Sequence, residues 1–217
     1  MQIQLSGSTV ELKKAHALFK DDGIKINLIE EKYYLSSTDF EGIEDMNELY
    51  PIAQKIIEKI NLCLFIIEPI HGCLELDGYV YQGEGKPIIT TMSATLNGSG
   101  TLSEVMTEKD IVAKIGKISS EKEALSHVAH FLSLKCTYAN LYKVYEVLTA
   151  NFADECLIDV SKAELKRFTQ SANSQMASGD DARHSNLYDP PKKPMSIQEA
   201  RIMFAKIIKR ILDNENS

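Results

Sequence analysis

The period of the hydrophobic pattern changes once along this chain, and the change dictates the class of fold. Up to about residue 102, apolar residues alternate with polar ones or gather in short β-prone runs between Gly-containing turns; beyond it Gly is sparse and apolar residues recur every three or four positions. Alternation places side chains on opposite faces of a strand, whereas helical spacing lines one side of a helix. The expected architecture is α+β: a β-rich part over residues 1–102 with one packed helix, followed by an all-helical bundle over residues 103–217. A length of 217 residues and a hydrophobic content of 44% suffice for a sizeable core.

In the first part, MQIQL alternates, HALFKDD leads into Asp22-Gly23, and IKINLIEEKYYLSS is again β-like, so the first forty residues read as strands with a hairpin turn at Asp22-Gly23. Met46, Leu49, Ala53, Ile56, Ile57 and Ile60 mark a helix on that sheet, with Pro51 either near its start or breaking it. The apolar run LCLFIIEPI at 62–70 fits a buried strand or a continued helix, and strand is favoured. Residues 71–102, with YVYQ and PIITTMSATL between Gly-rich turns, read as a hairpin with loose ends.

In the second part, helices are predicted from Thr107 to Ile118, from Ser120 to Leu134, and along the stripe Tyr138, Leu141, Tyr142, Tyr145, Leu148 and Phe152. Ser161 and Glu164 open another helix through Gln170 with the S-x-x-E capping pattern. Ser196 to Glu199 repeats the pattern before a helix whose stripe is Ile197, Ala200, Phe204, Ile207, Ile208 and Ile211. Pro190, Pro191 and Pro194 stiffen the approach to it.

The net charge of -7 speaks against a global nucleic-acid footprint, but residues 162–210 hold ten Lys plus Arg against five acids, and all four arginines lie there. Cations on a solvated helical face account for such a run; an anionic partner is the functional alternative. Cys63, Cys73, Cys136 and Cys156 form no CxxC, which predicts reduced, mostly buried thiols. No window approaches 18 consecutive apolar residues and the chain starts without a signal-like segment, so a soluble cytoplasmic protein with no membrane partner is expected.

Complete chemical motifs do not appear. Gly85-Lys86 continues into Pro87, so it is no phosphate loop, and neither GxGxxG nor GxSxG occurs. Glu123, His127 and His130 share a helical face but lack the order of a zinc hydrolase, so neither metal nor cofactor is expected. The best lead is the polar stretch from Phe168 to Met195, in which Asn173, Asp180, Asp181, Arg183 and His184 gather as candidate binding residues. Arg183 offers a planar fork to phosphate or carboxylate and His184 can exchange a proton near neutral pH, so these two are also the catalytic candidates. The structural alternative has Arg183 pairing with Asp180 or Asp181 and pinning the loop.

Taken together, ANLYKVYEVL, TQSAN, ARH and PPKKPMSIQEARIMFAKII, within residues 139–210, resemble a group of bacterial HEPN-like helical-domain proteins. The resemblance implies a helical bundle, a homodimer, and a link to bacterial conflict systems or mobile elements. Ribonucleases of that kind carry an Arg followed four to six residues later by His at a cleft; here Arg183 and His184 are adjacent and the catalytic spacing is not matched. The expected function is a non-catalytic binding or assembly protein that self-associates or docks a protein partner. The rival is a metal-independent ribonuclease or RNA-binding protein using Arg183 and His184 on the basic segment. A small-molecule sensor with a pocket between the two halves is a third class.

Overall fold

The computed structural model describes residues 1–20, 23–70, 72–81, 107–117, 123–156, 158–183 and 189–214. It is an α+β structure built on one antiparallel sheet. Strands β1 (Gln2–Ser6), β2 (Ile24–Ile29), β3 (Lys32–Ser37) and β4 (Glu75–Tyr81) lie in the order β2-β3-β1-β4. Ile3 is opposite Leu35 and Leu5 opposite Tyr33, so alternate residues of the central strands enter the core. The predicted strands at both ends of the first forty residues are present, but α1 (Thr9–Leu18) stands between them where only strand was expected. A further S-x-x-E signal explains it: Ser8 hydrogen-bonds to Glu11, and Glu11 lies in the first turn.

The hairpin joins β2 to β3 at Glu30-Glu31 rather than at Asp22-Gly23. Both glutamates have positive φ, 48° and 66°, as a tight primed turn requires. Residue type gives no hint of this, because Glu seldom adopts that backbone. Gly23, at φ 84°, instead leads the chain into β2; Asp22 lies outside the described residues.

The predicted helix at residues 45–60 is longer than its amphipathic stretch. Helix α2 (Met46–Ile67) starts at Asp45, whose side chain accepts a hydrogen bond from Asn47 N. It passes through Pro51 early, then runs on through most of the segment expected to be a strand. The first half is two-sided, with Leu49, Ala53, Ile56 and Ile57 buried and Tyr50, Gln54 and Lys55 exposed. From Ile60 to Ile66 every residue is buried. Here α2 is packed by α1, β4, α3 (Glu108–Lys117), α4 (Glu123–Ser133) and α9 (Ile197–Asn214), so no face is left for polar residues and the periodic signal vanishes. Among its described residues the N-terminal part therefore carries two packed helices, not one.

The chain turns from α2 to β4 through a crossover gripped from four helices. Asn61 of α2 donates from Nδ2 to Leu74 O at 2.9 Å and accepts at Oδ1 from Leu74 N at 2.8 Å. Glu11 of α1 accepts from Gly72 N at 2.6 Å. The Cys73 thiol donates to Leu132 O of α4 at 3.0 Å, and the buried Arg201 of α9 donates from Nε to Pro69 O with its guanidinium 4.9 Å from the Phe65 ring centroid. Gly7 lies so close that a Cβ there would come 2.6 Å from a Leu74 methyl.

Helices α5 (Tyr138–Asn151) and α7 (Lys162–Asn173) agree with the sequence pattern, whereas the short α6 (Ala153–Cys156) and α8 (Gln175–Ser178) were not expected. Thr107 caps α3, Asp110 N donating to its Oγ1 at 3.2 Å. The buried cluster runs without a break from Ile3 to Leu212, joining sheet and helices. The boundary expected near residue 102, the residues 82–102 of the proposed hairpin, and the start expected for α4 lie outside the described residues. Among the described residues no helix is long and apolar enough to cross a membrane. Cys63 is buried, and Cys73 and Cys136 are half-buried free thiols. Burial pushes Cys73 up to about 11, which leaves it a weak nucleophile at neutral pH.

Replacing Asn61 with Leu strands the Leu74 N–H and C=O in the core, and each orphaned group costs about 1–3 kcal/mol. Urea denaturation is therefore expected to show Asn61→Leu destabilised by about 2–6 kcal/mol; a loss below about 0.5 kcal/mol would show that the clamp contributes little.

Candidate functional site

The first half of the stretch expected to be a long loop is helical. Helix α7 carries through to Asn173, α8 comes next, and a single 3-10 turn spans Gly179–Asp181. Its far end is seated at Met195, whose N–H donates to Ser171 Oγ at 2.8 Å and whose carbonyl accepts from the Tyr138 hydroxyl at 2.7 Å. Arg167 completes the attachment. Its Nε donates to Lys193 O at 2.7 Å, and its Nη2 donates to Pro194 O at 3.0 Å and to Glu199 at 2.9 Å. Glu199 also accepts from Ser196 N at 2.8 Å, the capping box expected of α9. The Ser196 N–H and the Arg167 guanidinium hold its carboxyl at about 2, below the ordinary carboxylate range.

Of the predicted site residues, Arg183 is firmly placed. Its N–H donates to Ala172 O at 2.9 Å, returning the chain to the end of α7. The guanidinium stacks 4.0 Å from the Tyr142 ring centroid and donates from Nη2 to Glu146 Oε1 at 2.6 Å, both on α5. Tyr142 and Glu146 are one helical turn apart, so one α5 face offers ring and carboxylate together. Tyr142 is itself stacked on Phe168, which packs edge-on against Phe204 at 4.9 Å. Arg183 thus closes a column of rings that reaches the core.

The other candidates are scattered over different environments. Asp180 is exposed and Asp181 half-buried on the 3-10 turn. Asn173 Oδ1 and the neighbouring Ser174 Oγ are buried without a hydrogen-bond partner among the described residues. His184 lies outside the described residues. On α4, His127 pairs with Glu123 at 3.8 Å while His130 Nδ1 meets Glu58 of α2 at 2.9 Å, so each histidine has its own acid.

A groove not anticipated from the sequence lies between α5 and α7. It is an open groove of about 360 Å³ lined by Tyr145, Thr149, Ala153, Lys162, Leu165, Lys166 and Thr169. The α7 residues stand at i, i+3, i+4 and i+7, and Tyr145 and Thr149 at i and i+4, so each wall is one helical face. That spacing was legible; that the two faces oppose each other was not.

Arg183→Ala should lower stability by about 1 kcal/mol, the size of one exposed ion pair plus one exposed cation–π contact, and in a double-mutant cycle Glu146→Ala should couple to it; additive effects would mean the pair contributes nothing. Because Glu199 titrates lower in the folded chain than its ordinary 4.5, its stabilisation is complete above about 4.5 and is lost as pH falls toward about 2. Melting temperatures measured from pH 7 down to 3 should accordingly fall less steeply for Arg167→Met than for the parent. Comparison with protein-family models, with curated proteins and with solved structures gave no match.

Proposed function

We propose that the chain is a cytosolic, non-catalytic binding or assembly protein whose helical half presents the docking face. The observation that supports this most directly is the engagement of Arg183: its guanidinium is held by Glu146 and Tyr142 of α5, the contacts of a residue that pins a segment in place. A catalytic pair needs a cation aimed at the position where charge develops on the substrate. Arg167 is similarly engaged by Lys193, Pro194 and Glu199. The HEPN-like resemblance over residues 139–210 motivates extending the proposal to a homodimer in bacterial conflict systems or mobile elements.

The rival is RNA cleavage or RNA binding, favoured by the excess of cations over residues 162–210. Incubating the purified protein with mixed RNA in chelator, beside the variant carrying Arg183→Ala and His184→Ala, separates the readings. The expected result is intact RNA with both proteins. Cleavage by the parent that the variant loses overturns the non-catalytic reading. RNA retention without cleavage, weakening steeply between low and physiological salt, identifies the partner as RNA.

A further inference from the structure

We propose that the groove between α5 and α7 binds a small organic dianion, a phosphate monoester or dicarboxylate carried on an apolar body; this rests on the binding reading above and names its ligand class. The cations are Lys162 and Lys166, on consecutive turns of one α7 face and both exposed. Side chains so spaced start about 5–6 Å apart, so two flexible ammonium groups can converge on one doubly charged head. Neither lysine has an acidic partner among the described residues. Glu164, the acid nearest in sequence on α7, is turned into the capping box with Ser161.

The rest of the lining sets the body of the ligand. The apolar lining is the buried Leu165 with the half-buried Tyr145 and the exposed Ala153. The two hydroxyls are engaged within their own helices, Thr149 donating to Tyr145 O at 2.8 Å and Thr169 to Lys166 O at 3.0 Å. Recognition of negative charge therefore falls to the lysines, and apolar contact holds the body attached to the charged head. The volume of about 360 Å³ suits a single small molecule, near the lower end of the roughly 300–1,000 Å³ range of ligand pockets.

Calorimetric titration with phenyl phosphate and with phthalate tests the groove, with inorganic phosphate as head without body and phenol as body without head. At least one of the two dianions should bind the parent protein more tightly than either fragment; binding of phenyl phosphate alone assigns a monoester and of phthalate alone a dicarboxylate. The double variant Lys162→Gln, Lys166→Gln should keep its circular dichroism and melting temperature and lose about tenfold in affinity, the sum of two exposed charge contacts. The single variants carry the same comparison if the double variant is unstable. No binding by either dianion, or undiminished binding by the folded variants, overturns the assignment. Neither result bears on RNA cleavage, which tests the ribonuclease reading separately.

Discussion

The grip of Asn61 on the Leu74 peptide groups fixes the crossover on which the sheet and the later helices converge. A buried side-chain amide that satisfies both polar groups of one residue imitates a neighbouring strand, and it does so from the interior of a helix. With it, β4 is held where it can pair with β1. The partners from α1, α4 and α9 that join at Gly72, Cys73 and Pro69 then connect the sheet to helices far along the chain. Because the Leu74 and Pro69 groups are buried, water cannot replace a partner lost there, and the sheet and the helical half are coupled through a few hydrogen bonds as well as through apolar packing.

A similar economy governs the end of the chain. The approach to α9 contains three prolines and several exposed polar residues, and little apolar burial of its own to hold it. Its position is set by hydrogen bonds to Met195 from Tyr138 and Ser171, and by the multiple contacts of Arg167. Several of the residues that gave the C-terminal third its recognisable character, TQSAN and PMSIQEA among them, are thus architectural. Ser171 and Met195 fix the seat, and Ser196 and Glu199 start the last helix.

The electrostatic consequence is an uneven distribution of free charge. Arg167, Arg183 and Arg201 are each engaged by carboxylate, carbonyl or aromatic partners, where a planar, weakly hydrated cation is favoured. Lys162 and Lys166, more strongly hydrated, remain exposed on the α5–α7 groove. A count of cations over residues 162–210 therefore exaggerates the charge available to a partner. Position within the fold separates the structural cations from the accessible ones.

Local chemistry made much of the helical half legible. Capping pairs at Ser161–Glu164 and Ser196–Glu199 declare helix starts through hydrogen bonds made within four residues, and regular stripes declare which face is buried. The alternation of MQIQL and the β-prone run KYYLSS likewise marked β1 and β3. Three features arise from packing instead. Residues 60–66 are helical because α2 is enclosed on every side, which erases the amphipathic signal. Glu30 and Glu31 turn the hairpin because sheet pairing holds them in a backbone conformation that their side chains do not favour. Arg183 meets Glu146, 37 positions away, because the chain returns along α7 to α5, and only that return could show which of the nearby acids holds it. Helix caps, strand alternation and apolar stripes were written in the residues themselves, since these depend on neighbours along the chain; the partners of Asn61, Arg167 and Arg183 were not, since those depend on which distant segments packing brings together.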